Sequence, residues 1–164
     1  FGFAKQREPR LKIWIMGPWD EDEAYANECF ELAQSLGVGD IEFTGRINIK
    51  DYLGRMDMTI LTSVSEGQPL TILESYAAHK PVIATDVGNC YGLIYGESDD
   101  FGQAGILTHI MNVREIAQDN GRMAQKKSCV FQWEKMVTAA SWQNIVWNIC
   151  RKPTGKFTVI LQKV

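Results

Sequence analysis

The sequence predicts an α/β fold, a parallel sheet with helices on both faces. Three observations carry this. Short apolar β-type runs alternate with segments of helical spacing. The first two runs end at Gly17-Pro18 and Gly45. Residues 57–88 read as a strand, a glycine turn, a helix and a second strand. The 164 residues are one domain's worth of chain, and a composition 45% hydrophobic and 23% charged is ordinary for a protein that buries a core.

Residues 11–16 form the first strand, stopped by Gly17-Pro18. Asp20 is placed to cap the next helix, with Glu23 three residues on as in a capping box. Ala26, Cys29, Phe30, Ala33 and Leu36 form its apolar stripe, and Gly37 ends it. Residues 41–44 are a second strand closed by Gly45, and residues 48–55 a short helix holding Tyr52 and Leu53 inward. Residues 58–61 are a third strand, broken by Ser65, Glu66 and Gly67. Pro69 begins a helix, where its lack of an N–H costs nothing. Leu70, Leu73 and Ala77 follow at helical spacing, and Pro81 stops it.

Residues 82–84 and 105–108 are the fourth and fifth strands. Residues 113–127 carry a polar helical pattern interrupted at Asn120-Gly121, and residues 132–149 a stronger one with Trp133, Met136, Val137 and Ile145. Residues 157–161 are a last β-type run. The reading is thus a single domain over 1–164, with 131–164 as a C-terminal helix and tail strand.

A net charge of −3 without a basic stripe argues against nucleic acid as a partner. No apolar run approaches a membrane span, and the N-terminus lacks a signal-peptide layout, so a cytoplasmic protein is expected. Phe1 in place of Met leads us to expect a start inside a longer chain. Cys29, Cys90, Cys129 and Cys150 are far apart and the two His add no ligand cluster, so neither metal nor disulfide is expected.

Ligands of parallel sheets bind outside the carboxyl ends of the strands. Here those ends hold residues 17–20, 45–48, 63–69, 86–90 and 108–109. The loop at 63–69 leads into a helix whose N-terminus favours an anion, and Gly67 lets a ligand approach the backbone.

Ser65-Glu66-Gly67-Gln68-Pro69-Leu70, Leu73-Glu74, Ala77-Ala78 and Pro81-Val82-Ile83-Ala84-Thr85 set two glutamates in a Glu-x7-Glu pattern. This ordered set resembles the C-terminal, nucleotide-sugar-binding half of the family 4 retaining glycosyltransferases, which have the GT-B fold. Gly17-Pro18, Asp20-Glu21-Asp22, Glu28-Cys29, Phe43-Thr44-Gly45 and Asp86-Val87-Gly88 with Cys90 draw it nearest to the PelF-type enzymes of Pel exopolysaccharide synthesis. The resemblance covers about residues 10–108.

The resemblance implies a Rossmann-like sheet and transfer of a hexose from UDP-sugar, such as UDP-glucose, to a polysaccharide acceptor. It implies retention of anomeric configuration, with no metal or other cofactor. Glu66 is the implied catalytic residue at the donor sugar. Gly67, Gln68 and Pro69 would line the sugar, and the N–H groups of Leu70 and Thr71 the diphosphate. Glu74 would accept hydrogen bonds from the ribose hydroxyls, as an acceptor-only carboxylate can. Gly45, Arg46 and Ile47 would lie along the base.

The family's domain begins one βα unit earlier, with an Arg and Lys pair toward the diphosphate; residues 1–10 match the tail of that unit's helix. A helix terminus contributes only about 0.3–2 kcal/mol toward a charge, so weak donor binding is expected from these residues alone. Arg46 and Lys80 are the nearest basic residues, at other positions. The strand of that unit is central in the order 3-2-1-4-5-6, and 157–161 is expected to fill its slot or an equivalent edge. His79 stands where the family has Gly, and Gly92 where it has Glu. The acceptor would be held by an N-terminal domain absent from these residues, with a membrane-bound synthase complex as a further partner. The alternatives are a truncated or degenerate nucleotide-sugar-binding module without catalysis of its own, and a GT-B UDP-sugar epimerase.

Overall fold

The computed structural model describes residues 1–96, 103–125 and 157–162. The strands are β1 (Leu11–Met16), β2 (Ile41–Gly45), β3 (Thr59–Leu61), β4 (Val82–Thr85), β5 (Gly105–Thr108) and β6 (Phe157–Gln162). The helices are α1 (Gly2–Arg7), α2 (Glu23–Ser35), α3 (Lys50–Leu53), α4 (Leu70–Ala77), α5 (Cys90–Tyr95) and α6 (Val113–Gln125). The strands form one parallel sheet in the order β2-β1-β6-β3-β4-β5.

β3 and β4 are buried along their whole length, as continuous apolar strands are when both faces are covered. On one face Leu11, Ile13, Met58, Ile60 and Ile83 pack against Ala4 of α1 and Ala117, Met123 and Ala124 of α6. On the other, Leu61, Val82 and Ala84 meet Ile72 and Tyr76 of α4 and Cys90 and Ile94 of α5. Met16, Leu53, Met56 and Ala78 form a third cluster, with Trp14, Ile47 and Tyr52 against it.

The expected central strand is present. β6 pairs with β1 residue for residue, from Leu11 with Phe157 to Met16 with Gln162, and Ile60 of β3 pairs with Leu161. The residues read as the tail of a helix form α1. Lys5 in its last turn donates to the carbonyls of Pro9 and Leu11 and to Asp40 Oδ2, the last two at 2.7 Å.

Several expectations are corrected. Asp22, not Asp20, caps α2: its carboxylate accepts from the Tyr25 N–H at 3.0 Å. Leu36 lies beyond the helix end and is exposed. Leu70 and Leu73 point outward, 66% and 37% exposed, while Ile72, Ser75 and Tyr76 face the sheet. Ile72 and Tyr76 enter the apolar cluster there, and the Ser75 hydroxyl beside them bonds the Thr59 hydroxyl of β3 at 2.8 Å and donates to the Thr71 carbonyl. That satisfied serine occupies the inner face that a hydropathy pattern gives to leucine. α5 was not expected, and Gly92 in its middle masks it. α6 runs unbroken through Asn120 and Gly121. The helical pattern at 132–149, with Trp133, lies outside the described residues.

α4 ends before Pro81, in a six-residue turn. The Lys80 N–H reaches the Ser75 carbonyl and the His79 N–H the Tyr76 carbonyl, the two bonds of a Schellman motif. His79 has φ +56°, the left-handed conformation that glycine adopts without strain. Replacing His79 with Gly is expected to stabilise the fold by about 0.5–1 kcal/mol, relief of strain exceeding the added chain entropy. A urea midpoint that fell in His79→Gly would contradict this.

Candidate functional site

Because all strands run the same way, their carboxyl ends share one edge. β3 leaves that edge through Ser63, which is buried. The Thr85 hydroxyl of β4 donates to the Ser63 carbonyl at 2.5 Å, and the Ser63 hydroxyl donates to Glu66 Oε1 at 2.7 Å. A β4 hydroxyl therefore holds Ser63, and Ser63 aims the Glu66 carboxylate.

The turn after β4 is pressed against the same loop. Gly88 has φ +52°, and a Cβ there would lie 1.9 Å from the Glu66 carbonyl oxygen and 2.9 Å from that of Gly67. Both conformation and space demand glycine. The Asn89 N–H donates to the Gly67 carbonyl at 3.1 Å, and Asn89 Nδ2 to Gln68 Oε1 at 2.8 Å. Pro69 then sets the entry of α4, which no side chain caps. A helix start of this kind presents N–H groups and the positive end of the dipole to an anion. Leu70 and Thr71 are its first residues, and Glu74 stands exposed farther along α4.

The residues expected along a base lie apart from this loop, at the end of β2, with β1 and β6 between β2 and β3. Gly45 has φ +69°, and a Cβ there would meet the Trp19 indole nitrogen at 3.2 Å. Arg46 is tied to Glu21 at 2.6 Å. The Ile47 side chain packs into the cluster of Met16, Leu53 and Met56. Sequence reading passed over Trp19; its place directly after Gly17-Pro18, at a strand end, was the available signal. An apolar cavity of about 480 Å³ opens between α2 and the ends of β1 and β3, lined by Trp19, Tyr25, Phe43 and Val64 among others. It reaches Ser65 but includes neither Glu66 nor Glu74.

Burial pushes the Cys90 thiol up, helped by the nearby carboxylates of Glu66 and Asp86. At the end of β5, Glu115 Oε2 accepts from the His109 and Asn112 side chains and from the His109 N–H. That pairing raises the His109 imidazole above its ordinary value. Among the described residues no three His, Cys, Asp or Glu side chains are grouped to hold a metal ion, and no helix is long and apolar enough to cross a membrane.

A sequence model of the family "Glycosyl transferases group 1" matches residues 3–126. The chain is similar to the alpha-monoglucosyldiacylglycerol synthase of Streptococcus pneumoniae, 35% identical over 136 residues, covering 72% of this chain and 30% of that protein. It is also similar to solved structures of Anabaena Alr3699/HepE. The complex with UDP has TM-score 0.70 and 19% identity, covering 84% of this chain and 38% of that one. The complex with UDP-glucose has TM-score 0.59 and 18% identity, covering 84% and 42%. At such identities the likeness to these structures establishes the shared fold. The chain spans less than a third of the curated relative's length.

Gly88→Ala is expected to destabilise the domain by about 2 kcal/mol, combining left-handed strain with the backbone clash. It should also shift the amide resonances of residues 65–69; an unchanged urea midpoint and spectrum would refute the close approach. His109 should titrate above 6.5 by NMR and return toward 6.5 in Glu115→Gln. Because the folded His109 value is raised and that of Glu115 lowered, the pair's stabilisation is complete between about pH 4.5 and 6.5, fades as pH rises through the folded His109 value, and is lost as pH falls through that of Glu115.

Proposed function

The chain belongs to the Glycosyl transferases group 1 family, and from that premise we propose that it is the donor-binding half of a retaining glycosyltransferase. One observation carries the reading: the Glu66 carboxylate, aimed by Ser63, stands just ahead of the N-terminus of α4, where Pro69 is the N-cap residue. In this reading the diphosphate sits on the N–H groups of Leu70 and Thr71. Glu66, with the loop of Gly67, Gln68 and Pro69, takes hydroxyls of the donor sugar, and Glu74 takes those of the ribose. Gly45, Arg46 and Ile47 border the base.

As the bond from sugar to diphosphate breaks, negative charge grows on the leaving oxygens. N–H groups already oriented toward them stabilise the transition state more than the ground state. The leaving diphosphate can accept the acceptor's proton on the face it departs from. Attack on that face retains configuration without a protein nucleophile.

The donor we propose is UDP-glucose. In support, structural neighbours are complexes with UDP and UDP-glucose, and the name of the streptococcal relative includes a glucosyl group. The acceptor we propose is a growing polysaccharide of the Pel type, on the motifs at Gly17-Pro18, Asp86-Val87-Gly88 and Cys90. It would be held by a further domain in the cytoplasm, recruited to a membrane-bound synthase complex. A second reading, a weak binding or assembly module without catalysis, draws on Arg46, whose charge is engaged by Glu21.

Calorimetry on this chain should give a UDP dissociation constant in the micromolar range or weaker; a sub-micromolar value would overturn the electrostatic part of the reading. In the full-length protein, Glu66→Ala should lower kcat for UDP-glucose by about 100-fold or more. Glu74→Ala should instead act mainly on KM, by about 10-fold or more, through lost bonds to a charged acceptor. Full turnover in Glu66→Ala would remove the role assigned to that residue.

A further inference from the structure

We propose that Asn89 is a positioning residue for donor-sugar recognition, holding the Gln68 side chain so that its amide reads a hydroxyl of the transferred hexose. This rests on the donor reading above. Asn89 stands at the N-cap of α5, where an asparagine side chain ordinarily accepts from the helix's own first N–H groups. It makes no such bond. Its Nδ2 instead donates to Gln68 Oε1 at 2.8 Å, across 21 residues of sequence. A local preference given up for a distant partner marks a place where function outweighs local stability.

Gln68 is fixed on every side but the solvent side. The Pro69 ring restricts its backbone. The Gly67 carbonyl before it is bonded to the Asn89 N–H at 3.1 Å. Its side-chain oxygen is engaged by Asn89, yet the residue is exposed. A long, exposed amide is normally mobile, and here a hydrogen bond to Asn89 restrains it. With Oε1 engaged, its Nε2 N–H donors are left for a ligand. Gln68 lies two residues after Glu66 and two before the start of α4. Acceptor-only Glu66 and donating Gln68 form a complementary pair, suited to neighbouring sugar hydroxyls that both donate and accept. In this reading the hydroxyls that they meet belong to the hexose, which a nucleoside diphosphate lacks.

The test is calorimetry of UDP and of UDP-glucose on this chain, for wild type, Asn89→Ala, Asn89→Asp, Gln68→Ala and the double alanine variant. Asn89→Ala is expected to shift the ratio of the two affinities about 10-fold against UDP-glucose, with UDP itself changed less than about twofold. The double variant should lose no more than Gln68→Ala, since the two side chains act as one unit. Asn89→Asp should behave as Asn89→Ala, because a carboxylate cannot donate to Oε1 although the backbone bond to Gly67 remains. An unchanged ratio in Asn89→Ala, or additive losses in the double variant, would overturn the proposal while leaving the donor reading intact. Absence of any UDP binding by wild type would overturn both.

Discussion

Every strand of the sheet runs in the same direction, and the site depends on that alignment. Parallel neighbours cannot be joined by tight turns, so each crossover passes through other structure and each carboxyl end opens on the same edge. Neighbouring strands lie about 4.8 Å apart, so the loops after β3 and β4 emerge side by side. Their closeness is visible in atoms. The Thr85 hydroxyl reaches the Ser63 carbonyl, and Gly88 lies where any Cβ would strike the Glu66 carbonyl. Glu66 is thus held by two strands although it belongs to neither.

The same alignment explains what the sequence made legible. β1, β2, β4 and β5 were readable as short β-type runs with a Gly or Pro at one end. The loop from Ser65 to Pro69 was readable as a helix entry from its glycine and proline alone, and the two glutamates through a resemblance. What stayed hidden depends on contacts distant in sequence. Ser75 looks like a surface residue until its hydroxyl meets Thr59 of β3, on the face of α4 that also buries Ile72 and Tyr76 and leaves Leu70 and Leu73 exposed. Asn89 carries no signal of its own in the sequence, because its partner Gln68 lies 21 residues away. Trp19 reads as an isolated aromatic until Gly45, on the next strand, is seen beneath it, where an added Cβ would lie 3.2 Å from the indole nitrogen.

Rigidity at the candidate site is concentrated rather than general. The loop at 63–69 is tied by a hydroxyl, two backbone bonds and a side-chain amide, and most of those partners come from the β4 end. The region of Gly45 to Ile47 has a different support, the packing of Ile47 into a hydrophobic cluster and an exposed ion pair at Arg46. Such a pair contributes at most about 1 kcal/mol and is screened by salt. The two regions therefore respond to different perturbations, the first to changes in β4 and the second to ionic strength.

The position of β6 bears on how the molecule is assembled in time. Among the described strands β6 is the last in sequence, yet it is central in the sheet, between β1 and β3. Without it β1 and β3 would present open edges, which invite pairing with other chains. Closing the sheet joins residues separated by nearly the whole chain, a contact of high sequence separation and hence slow to form. The centre of this sheet, rather than its rim, is therefore the part built by the longest-range pairing.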